Sequence, residues 1–193
     1  MATNAVKRAT GAQFVFGDHA GDFAGGTAKT SLEIAATTDF QITMNSLADD
    51  DMAESAKVDL TATRAPGYQV HAAIESGASA MTTGERVDFY WAPSPEATLT
   101  DGNPGQMDGA DTQVYSGVGT FDEMLLTTQF IGSLIVENTT NTVQIGIVNS
   151  FFVPASRYGI LCVVNRSAGV FATDDVEHHV TFTEILPDIQ AAA

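Results

Sequence analysis

Positive charge is what this sequence has least of. Eight Lys and Arg stand against 24 Asp and Glu, for a formal charge of −16, and no Lys or Arg lies between Arg86 and Arg157. A nucleic-acid binder neutralises phosphates with clustered cations, and an anionic membrane surface asks for the same. Neither partner is expected. Such acidity suits a soluble surface, or a partner with a complementary positive patch. Cysteine is scarce too: Cys162, in "YGILCVV", is the single one, so no intrachain disulfide can form. It sits in an apolar run with no local base, which reads as a packed core thiol rather than a nucleophile. No stretch approaches the ~20 apolar residues of a membrane span. The start "MATNAVKRATGAQF" has no apolar h-region, so the chain is expected to be made in the cytoplasm. "NTT" at 138 and "NRS" at 165 match the glycosylation pattern but read as polar turns.

Catalytic signatures are missing as well. There is no G-x-S-x-G, no phosphate-cradling glycine motif, and no convincing Ser or Cys beside His19, His71, His178 or His179. The 24 acids allow many carboxylate pairs and single out none. "DGNPGQMDGAD" (101–111) fails the EF-hand spacing, because Gly105 and Thr112 stand where ligands are needed. "LADDDMAE" (47–54) reads as a solvated acidic loop. The expectation is a protein that is not an enzyme and carries no cofactor and no metal.

What is present is alternation. "DFQITM", "YQVHAAIES" and "RVDFYWA" each place apolar residues on one face of a strand. "TQFIGSLIVE", "TVQIGIVNSFFV" and "RYGILCVV" are apolar on both faces, as in central strands or strands buried under a subunit contact. About nine strands, with turn signals every 8 to 12 residues, predict a mainly β fold. The expected organisation is a single β-sandwich or jelly-roll-like domain over 31–193, with a long loop at 93–119. Residues 1–30 hold few large apolar side chains and read as an extended N-terminal arm. Its anchors include Phe14, Phe16 and Phe23; with Asp101, Asn103 and Tyr115 of the loop they are the candidate partner contacts. Helix is expected chiefly at 47–56, where Asp51 and Glu54 have capping-box spacing, and at 120–126, where Thr120 and Glu123 have it. The core is expected from Leu32, Ile34, Phe40, Ile42, Val70, Ile74, Val87, Phe89, Trp91, Phe130, Leu134, Ile145, Ile147, Cys162 and Val180.

The stretch most like a site is "DDVEHHVTF" (174–182). On a strand, His178 and His179 point to opposite faces and cannot hold one ion. Asp175, Glu177 and His179 share a face but are spaced ~7 Å apart, too far for ligands from one strand. The expectation is the solvated face of a strand.

"ERVDFYWAPSPEATLTDGNPGQMDGADTQVYSG", followed by "QFIGSLIVENTTNTVQIGIV", "RYGILCVVNRSAG" and "DDVEHHVTF", resembles tailed-bacteriophage virion proteins, in particular head decoration (cement) proteins. The likeness runs from about residue 85 to the end and is carried by scaffold motifs without catalytic content. It implies a structural component of the virion, on the capsid surface, whose partners are the major capsid protein and further copies of itself. A homo-oligomer, as a trimer on a threefold seam, is expected; the two-sided apolar strands point the same way. The alternative is a carbohydrate- or receptor-binding module of a phage tail or fibre, which would need Trp91, Tyr90 or Tyr115 exposed for stacking. A hydrolase with an unrecognised carboxylate pair is the third.

Overall fold

Alternating apolar residues build ten strands among the described residues: β1 Val6–Gly17, β2 Thr37–Gln41, β3 Met52–Glu54, β4 Val58–Asp59, β5 Tyr68–Glu75, β6 Arg86–Ser94, β7 Gln129–Ile135, β8 Val143–Phe152, β9 Tyr158–Arg166 and β10 His179–Ile189. The structure is a computed structural model that describes residues 6–18, 32, 37–61, 65–112, 115, 119–173 and 178–189. Helix among them is confined to one turn of 3-10 helix at Pro104–Gln106 and to α1, Phe121–Leu125. The fold is mainly β, as expected.

Helix α1 starts where the capping box placed it. The Thr120 hydroxyl accepts from the Glu123 amide at 3.3 Å, and the Glu123 carboxylate accepts from the Thr120 amide at 3.2 Å. The other expected helix, at 47–56, is not there: Met52–Glu54 form a buried strand paired with β9. Met52 and Ala53 are fully buried, so the sheet claims the segment before local helix propensity can act.

One sheet has the order β2-β1-β10-β5-β8; the other has β3-β9-β6-β7, with β4 also on β9. All pairs are antiparallel except β1 with β2. The pairing is nested: β1 with β10, β3 with β9, β5 with β8, and β6 with β7.

The two inner faces share one core. Phe16, Val70, Ile74 and Phe182 come from the first sheet; Val87, Phe89, Trp91, Leu161 and Val163 come from the second. Phe182 lies at its centre, with ring centroids 5.1 Å from Phe16, 5.8 Å from Phe152, 6.0 Å from Tyr68 and 6.1 Å from Trp91.

Part of the expected arm belongs to this core. β1 pairs with β10 from Val6↔Ile189 to Gly17↔His179 and sits inside the sheet. Phe14 and Phe16 are 3% and 0% exposed and pack on Phe40 at 5.6 and 5.4 Å. A register shift between Thr10 and Gln13 accommodates one extra residue on β1. Gly11 permits it, since a Cβ there would lie 2.5 Å from the Glu184 carboxylate, whose oxygen accepts from the Ala12 amide. Residues 6–17 are therefore no arm; residues 1–5 and 19–30, with Phe23, lie outside the described residues.

Two further layers cover parts of the outer faces. On the first sheet Gln13, Val15, His179 and Thr181 are buried although they point away from the core, and Gln13 Nε2 donates to the Leu32 carbonyl at 2.9 Å. On the second, Met52, Ala92, Ile160, Cys162 and Val164 form a smaller cluster with Met107 and Met124. Tyr115, Phe121 and Leu125 pack against it. Met107 and Tyr115 of the 93–119 loop, together with α1, thus lie against the second sheet.

Candidate functional site

The strand carrying the histidines is buried on both faces, which corrects the solvated reading. His178, just before β10, and His179, its first residue, are 1% and 0% exposed, and β10 runs between β1 and β5. His178 Nδ1 accepts from the Glu75 amide at 3.0 Å, its Nε2 lies 3.4 Å from the Ala172 carbonyl, and its ring packs 5.3 Å from Phe171. Burial lowers its pKa to about 4, so it is neutral and structural near pH 7. Asp175 and Glu177 lie outside the described residues.

The candidate contacts of the loop also bond within the chain. The Asp101 carbonyl accepts from Lys57 Nζ at 2.7 Å and from Ser94 Oγ at 3.2 Å. Asn103 Nδ2 donates to the Leu99 and Met107 carbonyls, both at 2.7 Å, and Tyr115 donates to the Gly105 carbonyl at 2.8 Å. Asn103 and Tyr115 therefore shape the loop. The acidic residues also have protein donors: Asp111 accepts from the Thr43 amide and hydroxyl at 2.6 Å, and Asp49 from the Ala168 amide at 2.8 Å. No group of three or more His, Cys, Asp or Glu among the described residues could hold a metal ion. Asn165 of "NRS" lies on β9 rather than in a turn and is fully buried, donating to the Leu47 and Gly169 carbonyls, which leaves no room for a glycan.

Charge is locally balanced at the four cations whose side chains are described. Arg166 meets Asp50 at 2.8 Å and Asp122 at 2.5 Å, Arg86 meets Asp88 at 3.0 Å, and Arg157 meets Asp59 at 2.6 Å. Lys57 is spent on the Thr98 and Asp101 carbonyls. None of these four presents an open phosphate-binding head.

One acid is different. Glu54, on β3, is 1% exposed, and its Oε2 accepts no hydrogen bond. Its backbone pairs with Thr112 in both directions, at 2.9 and 3.1 Å, which brings the loop across it. Burial, then the nearby Asp108, raises its pKa to about 7. Beneath it Cys162 is fully buried, its thiol pushed well up by the same desolvation and donating weakly to Met107 Sδ at 3.9 Å. A thiol held protonated is no nucleophile.

A surface depression of about 460 Å³ is lined by Glu75, Gly77, Ser79, Asn141, Phe171 and Thr173. Among the described residues Glu75 is the one ionisable side chain on that wall. Trp91, the aromatic a sugar site would most want, is fully buried; Tyr90 stacks on Phe130 at 5.2 Å.

The surface that the sequence reading missed is apolar. Phe130, Ile145 and Ile147, expected in the core, are 54%, 50% and 58% exposed. Ile135, Phe151 and Val153 are exposed with them. The cause is strand order: β7 and β8 are the edges of their sheets, while β9 alone of the three two-sided runs is central. β7 and β8 run together at this edge. Asn149 Nδ2 donates to the Ile131 carbonyl at 2.6 Å, Gln129 Nε2 donates to the Val153 carbonyl at 2.8 Å, and a Cβ on Gly132 would lie 2.2 Å from the Val148 carbonyl. The signal available in the sequence was the same two-sided apolarity that suggested a subunit contact.

Comparison with protein-family models, with curated proteins and with solved structures finds no match for this chain. No helix among the described residues is long and apolar enough to cross a membrane.

Proposed function

We propose that this chain is a non-enzymatic structural protein of a tailed-bacteriophage virion, a decoration protein that binds the outside of the capsid and stabilises the seams between capsid subunits. The observation that carries this reading is the exposed apolar β7–β8 edge on an otherwise acidic molecule, a surface that water leaves unsatisfied and a neighbouring protein would cover. The resemblance from residue 85 onward supports it, since those motifs lie on β6 to β10 and on the loop packed over the second sheet. We infer further that the two sheets form a jelly-roll sandwich. The nested pairs β1–β10, β3–β9, β5–β8 and β6–β7 are what two Greek keys produce.

The partners in this reading are the major capsid protein and further copies of the chain, arranged as a trimer on the capsid surface. Contact is favoured over sugar or receptor binding because the buried Trp91 and the tied Tyr115 offer no open stacking platform. The test is addition of purified protein to undecorated particles, with occupancy read by cryo-electron microscopy and genome release followed on heating. Saturable density on the shell and release at higher temperature are expected. Particles that take up no protein would sink the proposal.

A further inference from the structure

The outer face of β8 is the least protected surface of the fold. Ile145 and Ile147 alternate on it, Phe151 follows after two register shifts against β5, and the three are 50%, 58% and 45% exposed. Together they show water on the order of 300 Å² of apolar surface, comparable to the largest patch on a typical monomer, which is often functional. Edge strands are ordinarily protected by lysine, proline, inward charge or a covering segment. β8, "VQIGIVNSFF", carries no charge and no proline. The other end of the same sheet is covered, as the buried Gln13, Val15 and Thr181 show.

Charge selects the occupant. From Met124 to Ser156 the sequence holds one ionisable residue, Glu137, although the whole chain has 24 acids and 8 bases. A basic partner would gain nothing at such a face and would dock on acidic ground instead. Two copies of a chain with charge −16 repel wherever their acids meet, and that repulsion is weak at this face, where β8 carries no acid and β5 brings one, Glu75, in register with Val143. His71, in register with Ile147 on the neighbouring strand, adds no charge near neutral pH because burial lowers its pKa.

We propose that the outer face of β8, through Ile145, Ile147 and Phe151, is the contact between copies of this chain. Phe130, Ile135 and Val153 lie at its rim, brought there by the β7–β8 ties. The proposal deepens the reading of the chain as an assembly component, but its test needs no particle.

The mass in solution decides it, measured by light scattering and sedimentation over a concentration series. Wild type is expected as a multiple of the 20.3 kDa chain. Ile147→Glu should raise the dissociation constant at least about 100-fold, since each contact would bury an unpaired carboxylate. Its melting curve should stay cooperative, because the side chain is already half in water. Ile145→Glu is the second variant should the first fail to fold. Leu126→Glu, at an 87% exposed apolar residue outside this face, should leave the multimer intact. Raising salt to about 0.5 M should tighten the contact by screening like charges, where a contact of opposite charges would weaken. A monomeric wild type at about 100 µM overturns the proposal, as does a multimer untouched by both β8 variants. If the wild type is monomeric and Ile147→Glu abolishes particle binding, a capsid surface occupies the face and the self-contact is wrong. If copies associate as expected and particles remain bare, the decoration reading alone fails.

Discussion

Glu54→Gln should change how stability depends on pH more than it changes stability itself. The wild-type carboxyl is 1% exposed, its Oε2 accepts no hydrogen bond, and its pKa rises from 4.5 to about 7 through burial and then Asp108. The folded state therefore holds this proton more tightly than the unfolded chain. Below about pH 4.5 both states are protonated and the shift costs nothing; as pH climbs to about 7 the unfolded chain ionises first and gains. Above that the full difference applies, about 3 kcal/mol for a shift of this size at a buried site. Glutamine has the same shape without the proton. Urea denaturation of both proteins at about pH 4.5, 6, 7 and 8 should show similar stability at the acid end and the variant ahead by about 2 to 3 kcal/mol at the alkaline end. His178 acts in the opposite sense. Its pKa falls from 6.5 to about 4, so its protonation in the unfolded chain drains stability as pH drops through that window. The two effects offset each other in the wild type, and Glu54→Gln should unmask a stability that rises with pH between about 4 and 6.5. A difference between the two proteins that stays constant across the series would refute this account of Glu54.

Other expectations follow from packing. Phe89→Ala should cost about 3 to 4 kcal/mol by chemical denaturation, since the ring is fully buried in the core between the sheets; a cost below about 0.5 kcal/mol would contradict that placement. Removing residues 1–17 deletes β1, leaves β10 without its partner and strips Phe14 and Phe16 from the core; the truncated chain should lose its cooperative melt, and a two-state melt near the wild-type temperature would contradict the role of β1. Dialysis against a chelator should leave the melting temperature unchanged, and a drop of several degrees would show that the acidic turns at 49–54 or 101–111 hold an ion.

Local chemistry was legible in the sequence. The apolar alternation of "YQVHAAIES" and "RVDFYWA" became the inner faces of β5 and β6, with Val70, Ile74, Val87, Phe89 and Trp91 buried. The Thr120–Glu123 spacing became a real capping box, and Cys162 became a core thiol. Each of these depends on neighbours within a few residues, or on one side chain's cost of meeting water. Tertiary structure alone decided which faces were covered. A period of two says that Ile145 and Ile147 share a face, and equally that His179 and Thr181 do. It does not say that the first pair lies on an edge strand while the second lies under another layer. The candidate site inverted for this reason: the polar strand was buried and the apolar one exposed. The same holds for β1, whose modest apolar content looked too small to fold until β10, from the far end of the chain, supplied its partner. Burial belongs to the pair of surfaces that meet, and strand order, set by contacts distant in sequence, determines which surfaces those are.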